Sequence, residues 1–370
     1  MKLEHKIFGF DNFATEMAKL KNEQHFDYLV TIVGEDFGEE GLGCIYILEN
    51  TKSHERVSVK QIANKVDGDN YVLPSVISLW HDADLLEREV FDFLGIKFLG
   101  HPDMRRLFMR SDFVGYPLRK DFDMSPEANQ FPMTDEPETD WTVEYNLDKY
   151  GHLTETKHRL LGDDDFVMNF GPNHPSTHGV LRLRTVVNGE TIKHVYPHLG
   201  YIHRGMEKMM ENMTYPQTLA LTDRLNYLCA MHHRHALVGV IEEAMGIELS
   251  DRIRYIRTIM DELQRIDNHL LFLGTCAQDL SALTAFLYCM RDREHLLNVM
   301  EETTGGRLIQ NYYRIGGLQA DIDPNFVQNT KTLCKYLRPM FQEYLDVFGD
   351  NVITHKRLEG VGYMNLEDCV

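Results

Sequence analysis

The sequence predicts a multi-domain protein in which an α+β domain precedes a mainly α-helical domain, a helix bundle with a β-hairpin at its start. The chain has 370 residues, more than one hydrophobic core usually serves. Strand-like and helix-like segments mix in the first part, whereas helical periodicity dominates from about residue 205 onward. Acidic, apolar-poor stretches separate the two parts. We therefore predict domains at 1–130 and 166–370, joined by an acidic linker at 131–165.

The first domain is predicted from short strands and two helices. Residues 26–33 and 43–48 are rich in β-branched and aromatic side chains, and residues 55–62 alternate between apolar and polar. Residues 12–21 and 82–94 have the spacing of amphipathic helices. The linker is predicted from residues 134–140, which are acidic and contain a proline, and from the acidic residues 162–165, a composition typical of an extended connection.

The second domain is predicted to open with a hairpin. Residues 180–187 and 191–195 flank Asn188-Gly189, the dipeptide that most strongly favours a two-residue hairpin turn. Ser250 is a suitable N-cap for the helix that follows it. Apolar residues recur at intervals of three and four over 251–273, 280–300 and 326–348. These stripes predict the bundle.

Composition and charge exclude several classes of function. The net charge of −19 argues against nucleic acid or an anionic membrane surface as a direct partner. No apolar run is long enough to span a bilayer, and residues 1–5 begin no signal peptide. None of the six cysteines belongs to a Cys-x-x-Cys pair, so we expect neither zinc nor an iron–sulfur cluster on this chain. Scattered cysteines fit a reducing compartment.

The segment 171–179 is the most informative part of the sequence. Its nine residues, Gly-Pro-Asn-His-Pro-Ser-Thr-His-Gly, combine two histidines with prolines and glycines that restrict the backbone. A rigid loop that presents His178 suggests proton chemistry or metal binding. A tight turn with two partly exposed histidines is the alternative, in which His174 and His178 are both structural.

Several longer motifs carry a resemblance to a known family. Three motifs resemble the C subunit, or 30-kDa-type subunit, of respiratory complex I; they lie at residues 87–96, 100–107 and 117–121. Three more resemble the D subunit, or 49-kDa-type subunit; they lie at residues 171–179, 197–208 and 312–317. This order resembles the fused C/D subunit of some bacterial complexes.

The resemblance implies a subunit of a proton-translocating NADH:quinone oxidoreductase, inactive alone, in the peripheral arm on the cytoplasmic side of the inner membrane. Its substrate would be a quinone, menaquinone or ubiquinone. Electrons would come from the terminal 4Fe–4S cluster of the neighbouring B subunit, and this chain would hold no cluster itself. The ferredoxin-like I subunit and the membrane subunits H and A are the other implied partners, and nucleic acid is not one.

The resemblance also implies roles for four residues. His178 and Tyr227 match the residues that bind the quinone headgroup, and Asp279 matches the acid that pairs with the histidine. Arg204 matches an arginine close to the terminal cluster, where positive charge favours the reduced form. These residue types suit the reaction, because imidazolium and phenol can donate protons to a reduced quinone.

Each of these residues also has a plain structural interpretation. Tyr227 falls in a helical pattern and could be a core residue. Asp279 could cap a helix that begins near Leu280. Arg204 could form an ordinary ion pair. The motif at 87–94, with Arg105 and Arg106, is interpreted as docking and packing residues between subunits, or as a solvated face.

The sequence departs from the family pattern at two places. Ile309 stands where many members place a histidine near the cluster. This suggests a cluster of lower, less pH-dependent potential, as would suit menaquinone. The D-type region also ends at Val370, earlier than in the family, so we expect this domain to be incomplete at its C-terminus.

Two other functions compete with this interpretation. The D subunit is related to the large subunit of nickel–iron hydrogenases, so a component of a membrane-bound hydrogenase is the nearest rival. That metal site needs two Cys-x-x-Cys pairs. At the first equivalent place this chain has Asn226 and Cys229, one cysteine of the pair. The other alternative is a non-catalytic scaffold subunit.

Overall fold

A computed structural model of the chain describes residues 5–111, 113–125, 141–159, 161–162 and 164–366. The chain divides into two compact units, Met1–Lys208 and Met209–Val370. In the order of the chain, an α+β region is followed by a hairpin and then by helices, which confirms the predicted fold class.

The first unit contains a four-stranded sheet of order β1-β4-β3-β2, in which β1 runs parallel to β4 and the other neighbours are antiparallel. Its strands are β1 (His5–Ile7), β2 (Tyr28–Asp36), β3 (Leu42–Glu49) and β4 (Arg56–Ile62), and two helices accompany it, α1 (Phe13–Asn22) and α2 (Ala83–Leu94). Phe13 and Met17 of α1 and Val90 of α2 share one buried core with Tyr46 and Leu48 of β3. The buried stripes predicted from the sequence therefore lie where the sheet meets its helices.

Three further strand groups complete the first unit. The strands are β5 (Asn64–Asp67), β6 (Asn70–Pro74) and β7 (Ile96–Leu99) in one sheet, β8 (Trp141–Leu147) and β9 (Leu153–Arg159) in a hairpin, and β10 (Phe166–Phe170), β11 (Arg182–Asn188) and β12 (Thr191–His198) in a third group. β11 and β12 form the predicted hairpin, but Asn188 is the last residue of β11 and pairs with Thr191, so Gly189 and Glu190 form the turn. The β8–β9 hairpin lies within the predicted linker, whereas residues 134–140 lie outside the described part of the chain.

The second unit is helical. Its elements, with the helix that crosses the boundary, are α3 (Met206–Glu211), α4 (Tyr215–Thr222), α5 (Ala230–Met245), α6 (Asp251–Asp279), α7 (Leu283–Thr304), β13 (Tyr313–Arg314), β14 (Gly317–Leu318), α8 (Phe326–Tyr344) and α9 (Val352–Leu358). Ser250 caps α6 as predicted, because its side chain accepts a hydrogen bond from Ile253 N. Apolar side chains of α6, including Ile256 and Met260, pack against Leu296 and Met300 of α7. None of the helices that the structure describes is both long and apolar enough to cross a membrane.

Candidate functional site

The loop at 171–179 leaves β10 through Gly171, whose peptide bond to Pro172 is cis. Gly171 has φ +85°, and a Cβ atom built on it would lie 1.9 Å from the carbonyl oxygen of Leu181. Only glycine fits this position, because any side chain would both strain the backbone and collide with the neighbouring strand. The first residue of the loop is therefore fixed by direct backbone packing.

The two histidines of the loop have different surroundings. His174 Nδ1 lies 2.6 Å from Ser176 Oγ and accepts a hydrogen bond from Ser176 N at 3.2 Å, so its imidazole braces the loop. His178 has φ +47°, a left-handed conformation that is costly for a residue with a Cβ atom, and it is exposed. Thr177 Oγ1 donates to the carbonyl oxygens of His174 and Gly179 on either side of it. The loop thus presents His178 on a backbone that is hydrogen-bonded around it.

Tyr227 does not lie in a helix, contrary to the helical pattern expected at this place. It lies in a turn between α4 and α5, and its side chain is 54% exposed. The turn forms because Asn226 holds its own backbone: its side-chain oxygen accepts from Leu228 N at 3.2 Å, and its carbonyl oxygen accepts from Cys229 N at 3.0 Å. Tyr227 is consequently not a core residue of this unit.

Buried polar groups hold both ends of this turn. At its start, Asp223 Oδ1 accepts from Arg234 Nε at 2.9 Å, and both side chains are almost completely buried. Burial raises the pKa of Asp223, although Arg234 opposes the shift. At its end, Gln264 of α6 donates from Nε2 to the carbonyl oxygen of Leu228 at 3.0 Å. The backbone that carries Tyr227 is therefore anchored to α5 and α6.

Asp279 is the last residue of α6 and is exposed. The capping interpretation is wrong, because α7 begins at Leu283 and its N-cap position is Ala282. A carboxylate also lies unfavourably at the carbonyl end of a helix, where positive groups are preferred. Arg357 supplies that positive group by donating to the carbonyl oxygen of Leu280.

Arg204 follows β12 in an irregular segment and is exposed. It forms no ion pair with any residue in the described part of the chain, so the ion-pair interpretation has no support within this unit. His178 and Arg204 belong to the first compact unit, whereas Tyr227 and Asp279 belong to the second.

In the motif at 87–94, the acids Glu87 and Asp92 are completely buried, so they do not belong to a solvated face. Glu87 accepts hydrogen bonds from Val76 N at 2.7 Å and Ser75 Oγ at 2.6 Å. Asp92 binds the side chain of Arg106 at 2.9 Å. Sequence reasoning missed these roles, because their partners lie in irregular segments that no periodicity reveals.

Two surface clefts of the second unit are lined by residues other than Tyr227 and Asp279. One, of about 440 Å³, is lined partly by Met213, Arg234 and Arg314. The other, of about 490 Å³, lies along α5 and is lined partly by His232 and His235. Tyr227 itself lies on an exposed turn, and Asp279 lies at an exposed helix end.

Cys229 stands at the place equivalent to one ligand of a nickel site. Burial, followed by the nearby charge of Asp267, raises the pKa of Cys229. Among the described residues, no three histidine, cysteine or acidic side chains are grouped so as to hold a metal ion.

Models of known families match three parts of the chain. The 30-kDa subunit of respiratory-chain NADH dehydrogenase matches residues 10–128, and the 49-kDa subunit of the same enzyme matches residues 279–370. The C/D subunit of NADH-quinone oxidoreductase from Phocaeicola vulgatus is 54% identical over 355 residues, which cover 96% of this chain and 68% of that protein. The chain belongs to the C/D subunit family of NADH-quinone oxidoreductase. It is therefore a subunit of an oxidoreductase complex, as the resemblance predicted.

Other C/D subunits match over a similar share of the chain. The C/D subunit of Bacteroides thetaiotaomicron is 50% identical and is covered to 68% of its length. A C/D subunit of Aquifex aeolicus is 38% identical and is covered to 61%. The chain thus spans roughly two thirds of these relatives.

Two comparisons connect this C/D-family chain with other enzymes. A model of nickel-dependent hydrogenases matches residues 204–287, the segment that holds Arg204, Tyr227 and Asp279. A chain of a solved archaeal respiratory membrane complex, the membrane-bound sulfane sulfur reductase, is 26% identical with a TM-score of 0.53 and 55% of each chain covered. The hydrogenase match agrees with the predicted kinship.

Proposed function

We propose that this chain forms part of the quinone headgroup site of its complex, with His178 and Tyr227 as hydrogen-bond donors to the quinone oxygens. The proposal rests on the exposure of these two side chains and on the rigidity of the turns that carry them. Both are exposed, and both sit on turns whose backbones are fixed by hydrogen bonds from neighbouring residues. Exposed polar side chains on rigid turns are suited to binding a ligand that arrives from outside.

The reaction needs proton donors at these places. A quinone that accepts two electrons and two protons becomes a hydroquinone, with one new O–H bond at each former carbonyl oxygen. The terminal 4Fe–4S cluster of the B subunit would supply the electrons. An imidazolium at His178 and the phenol of Tyr227 stabilise the oxygens as negative charge develops on them, and can transfer protons to them.

Asp279 and Arg204 have supporting roles in this proposal. Asp279 would orient the His178 imidazole by accepting a hydrogen bond from it. Arg204 would lie near the cluster, where its positive charge favours the reduced state. Neither residue would transfer electrons.

The proposal places the chain in a larger assembly. Its partners would be the B subunit, the ferredoxin-like I subunit, and the membrane subunits H and A, on the cytoplasmic side of the inner membrane. Menaquinone or ubiquinone would be the substrate. Residues 1–130 would form the C-type part and residues 166–370 the D-type part, with the connection at 131–165.

The test uses His178→Ala and Tyr227→Phe in the assembled complex. NADH oxidation would be followed with a short-chain quinone, and separately with ferricyanide, which takes electrons before the quinone site. We expect quinone reduction to fall about 10²-fold, a usual effect of losing a proton donor. Ferricyanide reduction and assembly should be unchanged.

The chain offers matched controls for both variants. His25 is also an exposed histidine with a left-handed backbone, at φ +57°, and Tyr255 is a tyrosine 72% exposed on α6. His25→Ala and Tyr255→Phe should leave both activities intact. If His178→Ala and Tyr227→Phe keep full quinone reduction, the scaffold interpretation is correct and this proposal is wrong.

A further inference from the structure

We propose that Asp92, Phe93 and Phe108, in the part that matches the 30-kDa subunit, are positioning residues for Arg204. The proposal rests on the role given to Arg204 above. Arg204 lies in the segment 200–208, which carries no regular structure until α3 begins at Met206. The 30-kDa-type part contacts this segment on both sides of Arg204, and all of these contacts lie within the first compact unit.

The first step is that the Asp92 carboxylate fixes the backbone of residues 107–109 by hydrogen bonds. Its Oδ2 accepts hydrogen bonds from the backbone nitrogens of Leu107, Phe108 and Met109, at 3.1, 2.7 and 2.9 Å. Its Oδ1 accepts from Arg106 Nη1 at 2.9 Å. A completely buried carboxylate with four donors fixes the backbone around it, because releasing any donor would leave a buried charge less satisfied.

The second step is the direct contact between this turn and the segment 200–208. Gly200 has φ +95°, and a Cβ atom built on it would lie 2.0 Å from the carbonyl oxygen of Phe108. The two backbones therefore touch without a side chain between them. A shift of Phe108 would move Gly200, four residues before Arg204.

The third step is an aromatic stack beside Arg204. The ring of His203 lies 4.9 Å from that of Phe93 and 5.8 Å from that of Phe108, with interplanar angles of 22° and 18°. Phe93 and Phe108 themselves stack at 5.8 Å. The buried Nε2 of His203 has no hydrogen-bond partner among the described residues, so ring contacts do most of the positioning of this side chain.

A fourth contact fixes the far end of the segment. Lys208 is buried, and its Nζ donates to the carbonyl oxygen of Arg119 at 3.0 Å. Arg119 in turn donates from Nε to the carbonyl oxygen of Leu94, at the end of α2. Arg204 is thus exposed on a short segment held before it, beside it and after it by the 30-kDa-type part.

The consequence is electrostatic. The influence of a charge on a nearby redox centre falls with distance, so the effect of Arg204 depends on where the segment 200–208 holds it. Loosening the segment would move the positive charge away on average and make the cluster harder to reduce. The 30-kDa-type part would then help to set the potential of a cluster to which it contributes no ligand.

The test is a redox titration of the terminal cluster in the assembled complex, followed by electron paramagnetic resonance. Arg204→Met should shift the midpoint potential to a more negative value. Gly200→Ala, which forces Phe108 and the segment apart, and His203→Ala, which removes the stack, should shift it in the same direction by a smaller amount. His203→Phe keeps the stack and should restore the wild-type potential. Gly189→Ala adds a methyl group at another left-handed glycine, φ +59°, with nothing within 4 Å, and should not shift the potential.

The outcomes separate this inference from the role of Arg204. A shift with Arg204→Met but none with Gly200→Ala and His203→Ala overturns the positioning role and leaves Arg204 in place. No shift with Arg204→Met overturns the role of Arg204, and the positioning role with it. If either Gly200→Ala or His203→Ala fails to assemble, the other variant decides.

Discussion

Asp92 and Phe108 are sixteen residues apart in the chain, yet the Asp92 carboxylate accepts a hydrogen bond from the Phe108 backbone nitrogen at 2.7 Å. The same carboxylate binds Arg106, whose other nitrogen donates to the carbonyl oxygens of Phe113 and Gly115. One buried acid therefore organises the irregular segment that follows β7. That segment is also the surface on which Gly200 and His203 rest.

Asp92→Asn should strongly destabilise the first unit. An amide has one acceptor oxygen where the carboxylate has two, and its NH₂ group would face backbone N–H groups or Arg106. Removing one partner of a buried charge pair usually costs about 3–5 kcal/mol in the free energy of unfolding. The measurement is urea unfolding of the full chain, followed by tryptophan fluorescence. Trp80, which is buried in the core of this unit, contributes to this signal together with Trp141.

Asp69→Asn is the matched control, because Asp69 also pairs with a buried arginine, Arg119, but its own side chain is 66% exposed. It should destabilise the chain much less, since water can replace the lost partner. Equal losses for the two variants would contradict the structural role of Asp92.

The sequence predicted loops and turns that depend on local residues, but not those that depend on distant polar partners. The glycines and prolines at 171–179 indicated an irregular loop, and Asn188-Gly189 indicated the hairpin of β11 and β12. Tyr227 was wrongly predicted to lie in a helix. The Asn226 side chain accepts a hydrogen bond from the Leu228 backbone nitrogen and so favours a turn, and apolar periodicity does not reveal such a local contact. Asp92 was misread because its partners lie 14 to 17 residues away in a segment without periodicity. Long-range polar contacts of this kind leave no local pattern.

Glu87→Gln should stabilise the first unit at alkaline pH. Burial raises the pKa of Glu87 from 4.5 to about 7, against the hydrogen bonds from Ser75 and Val76. An acid with a raised pKa in the folded state binds its proton more tightly there than in the unfolded chain. Stability therefore falls as the pH rises from 4.5 to about 7. Above that range the cost is of the order of 3 kcal/mol, at about 1.4 kcal/mol per pKa unit.

The measurement is the free energy of unfolding of the full chain at pH 5 and pH 8, wild type against Glu87→Gln. The glutamine can still accept from Val76 and bind Ser75, so the gain should appear at pH 8 and largely vanish at pH 5. Glu39→Gln, at an exposed carboxylate, should give no such difference. A Glu87→Gln variant that is less stable than wild type at pH 8 would contradict the prediction.

Arg257→Met should destabilise the second unit. The Arg257 guanidinium donates to both oxygens of Glu242, at 2.8 and 2.9 Å, and to the carbonyl oxygens of Arg314 and Gly317. Burial tends to raise the pKa of Glu242, but hydrogen bonds from Arg257 and Gly316 outweigh it and lower the pKa. Without Arg257 the carboxylate would remain buried and unpaired, at a cost of about 3–5 kcal/mol in the free energy of unfolding.

This loss should be measured by urea unfolding of the full chain with the helical circular dichroism signal, since the second unit is helical. Arg265→Met provides the control on the same helix: Arg265 is exposed and pairs with Glu262 one turn away. It should change the free energy of unfolding by roughly 0.5 kcal/mol or less. Because the Glu242 pKa is lowered, the stability from the Arg257 pair should be present at neutral pH and disappear in acid.

Gly171→Ala should impair quinone reduction while the complex still assembles. The added methyl group would lie 1.9 Å from the carbonyl oxygen of Leu181, so the loop at 171–179 must move away from β11. His178 would move with it, and a misplacement of about 1 Å can lower a rate about 10²-fold. Gly189→Ala carries the same kind of backbone strain at φ +59° but has nothing within 4 Å of the new methyl group. Quinone reduction by the assembled complex should therefore fall in Gly171→Ala and remain in Gly189→Ala, with ferricyanide reduction equal in both. Equal quinone reduction in the two variants would mean that the position of this loop does not limit the reaction, and it would remove the structural support for His178 as a proton donor.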